Sequence, residues 1–239
     1  MKRALVTGGS GAIGSAVCRA LAAQGHHVIV HANANLARAE ALAAELRAQG
    51  QSAEAVAFDV TDTAACESTL AALVETGPIQ ILVNNAGIHD DGVFAGMSHT
   101  QWSRVVDVSL NGFFNVTQPL MLPMIRTRWG RIINMSSVAA IAGNRGQVNY
   151  AAAKGALQSA TRALSLEVAS RGVTVNAVAP GIITSEMTEG VFDKEMIERM
   201  VPVKRAGTAD EVAALVGFLA SDAAAYITGQ IVSINGGMI

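Results

Sequence analysis

The sequence predicts a single α/β domain, a doubly wound parallel sheet with helices on both faces, and three observations predict it. Short β-type runs alternate with longer alanine-rich segments of helical character along the whole chain. The runs are apolar on both faces, as strands covered by helices on each side require, and right-handed crossovers then wind the chain both ways. No Pro/Gly/Ser-rich linker, charge block or low-complexity tract interrupts the 239 residues, so a domain boundary has nowhere obvious to fall.

The elements follow in order. "RALVT" leads into "AIGSAVCRALAAQG", "HVIVH" into "LARAEALAAELRAQG", "AEAVAF" into "DTAACESTLAALVETG", and "IQILVNN" into a helical stretch through "WSRVVDVSLNGFFNVTQPLMLPMI". Pro119 and Pro123 fall in the second half of that stretch, where proline removes a donor and crowds the preceding turn, so a kink or local irregularity is expected there. Then come the strand "GRIINMSS", the helix "YAAAKGALQSATRALSLEVAS", the strand "VTVNAVAP", the helix "ADEVAALVGFLAS" and the strand "GQIVSING". Residues 182–205, "IITSEMTEGVFDKEMIERMVPVKR", are the longest segment outside the alternation. An excursion at a strand's carboxyl end lies where an open α/β sheet keeps its ligand, so the segment reads as a substrate lid.

Composition narrows the function. Hydrophobic residues make up 51% and the formal net charge is -2, which supports a large core and gives no chain-wide basic excess for nucleic acid or an anionic membrane. Cys18 and Cys66 stand far apart in no metal-ligand spacing, as packed thiols in a reducing compartment would. "MKRALVTGGSG" lacks a signal peptide's apolar run and no stretch is long enough to cross a bilayer, so a cytoplasmic protein is expected. His26, His27, His31, His89 and His99 show no metal spacing and read as surface or loop residues, with His89 and Asp90 in a position to border the cleft. No metal site is expected.

"VTGGSGAIGSAV" follows the first strand and opens the first helix. Glycines there let the backbone approach a diphosphate, and the helix N-terminus offers N–H groups and partial positive charge. Gly9, Gly11 and Gly14 satisfy G-x-G-x-x-G. A second register, Thr7-Gly8-x-x-x-Ala12-x-Gly14, resembles the short-chain dehydrogenase/reductase form of the loop, with Ala12 where glycine or alanine is usual and a slightly altered fit expected. Gly8, Ser10, Gly11, Ala12, Ile13 and Gly14 are thus the candidate cofactor residues of the loop. An acid about 20 residues beyond such a loop would bond the ribose 2′-hydroxyl and repel a 2′-phosphate. From Gly14 the first acid is Glu40, so NADP(H) is favoured, with Asn33, Asn35 and Arg38 as candidates for the phosphate side.

Tyr150 and Lys154 stand four apart at a helix start and so share a face. A cation beside a phenol favours the phenolate, so a lowered Tyr150 pKa is expected, making the ring a proton carrier. Ser137 ends the preceding strand on the same carboxyl edge, where its hydroxyl can hold a substrate oxygen.

With "NNAG" at Asn84–Gly87 and Pro180-Gly181 after the sixth strand, the chain resembles the short-chain dehydrogenase/reductase family over its whole length, with a Rossmann-like fold. It is most similar to the β-ketoacyl-[acyl carrier protein] reductases and acetoacetyl-CoA reductases through "GQVNYAAAKGAL", "ASRGVTVNAVAPGII" and "SDAAAYITGQIVSINGGM". The resemblance implies that Ser137 orients the keto group, Tyr150 donates the proton, and Lys154 binds the nicotinamide ribose while depressing the phenol's pKa. It also implies that Asp59 and Val60 meet adenine, that Asn85, Ala86 and Gly87 lie beside the adenosine ribose, and that Pro180, Gly181, Ile183 and Thr184 form the nicotinamide-side loop. "NNAG" serves equally well as a scaffold for the central sheet. Where relatives carry Asn-Leu, this chain has Ser109-Leu110, so Ser109 is a candidate for a rearranged proton relay; Asn111 faces another side of a helix.

Arg126, Arg128 and Arg131 cluster before the fifth strand and Arg171 ends the following helix. These read as solvated charge at helix ends or, at Arg128 and Arg171, as the resemblance implies, as a landing site for an acidic carrier protein. The resemblance further implies a homotetramer paired through the helices near 102–125 and 150–170 and the C-terminal "IVSINGGMI". The expected activity is NADPH-dependent reduction of a 3-oxoacyl thioester on acyl carrier protein, in fatty-acid or polyketide/polyene elongation. Reduction of acetoacetyl-CoA or a small ketone, and a cofactor-binding scaffold with little catalysis, stay open as alternatives.

Overall fold

The computed structural model describes residues 1–184 and 193–239. In chain order the elements are β1 (Arg3–Val6), α1 (Ala12–Ala23), β2 (His27–Ala32), α2 (Leu36–Ala48), β3 (Ala53–Ala57), α3 (Thr63–Glu75) and β4 (Ile81–Asn84). There follow α4 (His99–Val106), α5 (Gly112–Arg126), β5 (Gly130–Met135), α6 (Ala139–Ala142), α7 (Val148–Val168), β6 (Val173–Pro180), α8 (Lys194–Met200), α9 (Ala209–Ala220) and β7 (Ile231–Ile234). Among the described residues one seven-stranded sheet forms in the order β3-β2-β1-β4-β5-β6-β7, with every pairing parallel. The chain winds outward from β1 to β3, then returns to place β4 against the other side of β1. This reversal opens a crevice at the strands' carboxyl ends.

Period-2 alternation sends successive strand residues to opposite faces. Val6, Val30 and Val83 pack with Leu21, Leu46 and Val216 of α1, α2 and α9. Their neighbours Leu5, Ile29 and Leu82 pack with Leu70, Leu120 and Met124 of α3 and α5. Each fully buried side chain of this size contributes roughly 1.5–3 kcal/mol. Both faces of the sheet are therefore covered, which is why the strands read as continuous apolar runs.

Side-chain caps set several helix starts. Asn35 accepts from the Arg38 N–H at 3.1 Å, Asp62 from the Ala65 N–H at 3.0 Å, and Thr208 and Glu211 form a reciprocal capping box. The two prolines do not interrupt their helix. α5 runs unbroken from Gly112 to Arg126 through Pro119 and Pro123, held by the burial of Val116, Leu120 and Met124. The irregularity lies upstream, where Asp107–Asn111 form a π turn between α4 and α5. Its extra residue turns Ser109 inward to full burial and leaves Asn111 outside, bonded to Asp107 at 2.7 Å.

Two other expectations are corrected. Arg131 is no surface charge: its side chain is 3% exposed inside β5, donates to the Ser221 carbonyl at 3.2 Å and lies 4.3 Å over the Trp129 ring. His31 is likewise no surface residue, being 1% exposed on β2. The long excursion after β6 is tied at its base by a parallel bridge between Ile183 and Gly207, with the Thr184 N–H donating to the Gly207 carbonyl at 2.9 Å. Within the expected lid, 185–192 lie outside the described residues, and α8 forms part of the remainder.

Candidate active site

The glycine loop leaves β1 at Val6 and is clamped to β4. Thr7 Oγ1 accepts from the N–H groups of Asn85 and Ala86, both at 3.0 Å, while Asn85 Nδ2 donates to the carbonyls of Thr7 and Gly8 at 3.0 and 3.1 Å. Loop and "NNAG" are one hydrogen-bonded unit. Gly8 has φ +62°, a left-handed conformation that favours glycine, and the Gly11 N–H donates back to its carbonyl at 3.0 Å. A Cβ on Gly14 would overlap the Gly8 carbonyl oxygen and lie 2.8 Å from Gly9 Cα. Like α5, α6 and α7, α1 starts without a side-chain cap, at Gly11 beside the loop. Its first N–H groups face the glycine turn, and this cradle fits a dinucleotide diphosphate. Ser10, Gly11 and Ile13 are half-buried in this loop, and Ala12 is exposed at the first position of α1.

The adenine side follows along the same edge. Asn33 and Arg38 are exposed beyond β2, whereas the Asn35 carboxamide is occupied as the α2 cap. Asp59 is exposed beyond β3 with Oδ1 accepting from Thr61 N and Oγ1 at 2.8 Å, and the buried Val60 offers its carbonyl to Asn115 Nδ2 at 2.9 Å.

β5 and α7 supply the reacting groups. β5 ends at Met135, placing Ser137 at the carboxyl edge, half-buried ahead of α6. Tyr150 and Lys154 share one face of the first turns of α7, with Lys154 Nζ 5.8 Å from the Tyr150 ring centre. The Ser137 hydroxyl lies on the phenol's side of the site, near enough to act on it. Lys154 Nζ donates to the Met135 carbonyl at 2.8 Å and fronts Gly87, where an added Cβ would lie 3.0 Å from it. The sequence-predicted trio is brought together beside the glycine loop.

The electrostatics differ from expectation. Burial pushes the Tyr150 phenol above its usual range, with the nearby Ser137 hydroxyl opposing the rise and Asp91 adding to it. Burial also brings the Lys154 ammonium down to about 8. Desolvation disfavours the charged form of each group, so the downward phenol shift expected from the lysine is not the net result. The phenol is a stored proton at neutral pH.

Several supporting residues escaped the sequence reading. Asn149, fully buried, accepts from the Tyr150 N–H at 2.8 Å and donates to the carbonyls of Asp90 and Gln101 at 2.9 and 3.1 Å, tying the start of α7 to the segment after β4. In that segment His89 is exposed beside Asp91 at 3.3 Å, and Asp90 is held by Gln101 Nε2 at 3.0 Å. Ser136 donates to the Lys154 carbonyl at 3.1 Å and accepts from Gln158 at 2.9 Å. Beneath them Asn84 donates to Thr117 Oγ1 and Asn134 Oδ1, and Asn134 donates to Thr161 Oγ1, a buried ladder across β4, β5, α5 and α7. Polar side chains interrupting two adjacent apolar strands were the available signal. Ser109 Oγ is buried with no hydrogen-bond partner among the described residues, and a Cβ on Gly87 would lie 3.8 Å from it.

Pro180 ends β6 and the Gly181 N–H donates to the Ile234 carbonyl at 2.9 Å, placing Ile183, buried, and Thr184, exposed, on the carboxyl edge. Arg128 and Arg171 lie elsewhere. Arg128 Nη2 reaches the Ser170 carbonyl at 3.4 Å, so the two arginines are neighbours, but they precede β5 and β6 at the amino edge. The eight residues of β6 at about 3.3 Å each put roughly 26 Å between that edge and the site.

A glycine loop at the switch point, with serine, tyrosine and lysine converging beside it, defines an oxidoreductase of the nicotinamide class. The chain belongs to the short chain dehydrogenase family, whose family model matches residues 2–196. It is 41% identical over 98% of both chains to a 3-oxoacyl-[acyl-carrier-protein] reductase FabG of Aggregatibacter actinomycetemcomitans. It is also 44% identical to an acetoacetyl-CoA reductase of Rhizobium meliloti (98% of this chain, 97% of the relative) and 42% identical to a nodulation protein G of Azospirillum brasilense (99% and 98%).

Proposed function

We propose that the chain is an NADPH-dependent reductase of 3-oxoacyl thioesters on acyl carrier protein, giving the 3-hydroxyacyl thioester in fatty-acid or polyketide/polyene elongation. The observation that carries this reading is the convergence of Ser137, Tyr150 and Lys154 beside the Thr7–Asn85 clamp. Bound reduced nicotinamide would supply the hydride to the carbonyl carbon. Ser137 holds the carbonyl oxygen, Tyr150 gives its phenolic proton to that oxygen as charge develops, and Lys154 holds the nicotinamide ribose and supports the emptied phenol. Gly8, Ser10, Gly11, Ala12, Ile13 and Gly14 hold the diphosphate, Asp59 and Val60 the adenine, Asn85, Ala86 and Gly87 the adenosine ribose, and Pro180, Gly181, Ile183 and Thr184 the nicotinamide side. Asn33 and Arg38, exposed beyond β2 with no acid beside them before Glu40, suit a 2′-phosphate.

Ser109 Oγ anchors a relay water that returns a proton toward Lys154. Ser109→Ala removes a buried hydroxyl that bonds no protein group among the described residues, so the thermal midpoint is expected to change little. kcat should nevertheless fall by about tenfold, below the usual span for a positioned proton-transfer group. Unchanged kcat and pH profile would remove Ser109 from the reaction.

Phe114 and Leu122 on α5 and Leu166 on α7 are exposed large apolar residues, as are Phe218, Tyr226 and Ile239. Such faces suit a homotetramer paired through α5 and α7 and through the C-terminal edge. Antiparallel pairing about a two-fold axis also answers the position of Arg128 and Arg171: from the amino edge they serve the neighbouring subunit's cleft. The cytoplasm is the proposed setting, with both thiols buried and unpaired.

Cofactor absorbance, followed with NADPH and NADH on acetoacetyl-carrier protein and acetoacetyl-CoA, tests the reading. Higher kcat/KM for NADPH and for the carrier-bound substrate is expected. Arg128→Glu with Arg171→Glu should lower kcat/KM by about tenfold or more on the carrier substrate and leave a small free ketone nearly untouched. Equal rates on CoA and carrier thioesters favour the acetoacetyl-CoA reading, and no turnover of either leaves a nucleotide-binding scaffold.

A further inference from the structure

His31 follows the apolar residues Val28–Val30 of β2, and its ring is fully engaged. Nδ1 accepts from the Gly8 N–H at 3.0 Å, and Nε2 meets the Phe58 carbonyl at 2.8 Å. A peptide N–H can only donate and a carbonyl can only accept, so the proton rests on Nε2 and the ring is neutral. Its plane is tilted 55° to the Phe58 ring with the centroids 4.2 Å apart. Burial brings the ring's pKa down to about 4 against a weaker upward pull from the Phe58 carbonyl and Asp59, so this arrangement holds at neutral pH.

The two partners are not arbitrary. Gly8 is the left-handed residue of the glycine loop, and Phe58 immediately precedes Asp59 and Val60. Thr7 and Asn85 clamp the loop from the β4 side, while His31 holds it from the β2–β3 side. An apolar residue here would pack as well but leave the Gly8 N–H unpaired in the interior, at a cost that a shift of the loop would relieve.

We propose that His31 is a positioning residue for the adenosine-diphosphate half of the cofactor, one ring fixing the diphosphate loop and the adenine-side strand end in register. This rests on the reading of that cleft as the nucleotide site. Three variants separate its parts. His31→Phe keeps the ring's shape and removes both hydrogen bonds. His31→Asn places an amide oxygen near the Nδ1 position and keeps the bond to Gly8, whereas His31→Gln reaches toward Phe58 and leaves Gly8 unpaired.

Dissociation constants for NADPH and for 2′-phospho-ADP-ribose, kcat at saturating NADPH, and the thermal midpoint of the full chain are measured for each. His31→Phe and His31→Gln are expected to weaken both ligands by about tenfold, with kcat within about twofold of wild type and His31→Asn recovering most of the affinity. If His31→Phe does not fold, the contrast between asparagine and glutamine carries the same test. Wild-type affinity in the phenylalanine or glutamine variant, or lowered midpoints in every variant with affinities unchanged, would overturn the proposal and make His31 a packing residue. A wild-type chain that binds neither NADPH nor 2′-phospho-ADP-ribose would overturn the nucleotide reading itself.

Discussion

Tyr150→Phe is expected to lower kcat by about 10²–10⁴ while NADPH binds with nearly unchanged affinity. The change removes one oxygen from a half-buried ring and leaves the cradle residues of the glycine loop in place. Ser137 keeps its hydroxyl beside the vacated position, so the substrate oxygen is still held but receives no proton. The direction of the phenol's shift makes the role asymmetric. Raised by burial, the group is fully protonated at neutral pH and suited to give a proton to a carbonyl being reduced. The lysine titrates first: its ammonium, brought down to about 8, is charged below that pH and neutral above it. Support for the emptied phenol is thus present in acid and lost in alkali, and kcat for reduction should fall as pH rises through about 8. Rapid-mixing absorbance at saturating NADPH, with fluorescence titration for binding, measures both quantities. Turnover undiminished in the phenylalanine variant would remove Tyr150 as the proton donor.

The sheet and its covering helices were legible because apolar runs of strand length and alanine-rich helical segments alternate without interruption. The glycine loop and the Tyr150–Lys154 pair were legible because each is local: a strand–turn–helix boundary in one case, one turn of a helix in the other. What stayed hidden depends on partners distant in sequence. The imidazole of His31 bonds Gly8 and Phe58, 23 and 27 residues away, and nothing within β2 announces either contact. The π turn at Asp107–Asn111 adds one residue per turn over a single turn, too little to disturb a periodicity in which Pro119 and Pro123 are the louder signals. The direction of the Tyr150 shift turned on burial, which spacing to a lysine does not report. Arg128 and Arg171 are close in space, and the edge they occupy follows from which end of each strand the arginine precedes. That placement sets the pair apart from the chain's own cleft.

Gly14→Ala is expected to weaken NADPH binding by about 100-fold and to cost about 1–3 kcal/mol of stability, the range for overpacking a tight interior. One methyl group has this effect because everything around it is fixed. The added carbon would overlap the Gly8 carbonyl and approach Gly9 Cα at 2.8 Å and Asn85 Nδ2 at 2.9 Å. Two of those neighbours are backbone of the loop, and the third is the amide that clamps the loop to β4. Relief therefore has to come from moving the loop off α1 or the clamp off the loop, and either motion dismantles the diphosphate cradle. Two comparisons show that the cost is local. At Gly11 a Cβ would meet only the Gly8 carbonyl at 3.3 Å, so Gly11→Ala should give a milder loss, and at Gly96 it would meet nothing within 4 Å, so Gly96→Ala should bind as wild type does. Calorimetric titration of the three variants with NADPH, beside their thermal midpoints, reads the series. Wild-type affinity in Gly14→Ala would mean that the diphosphate does not rest on this turn, because no conformation of the loop that keeps its present hydrogen bonds has room for the methyl.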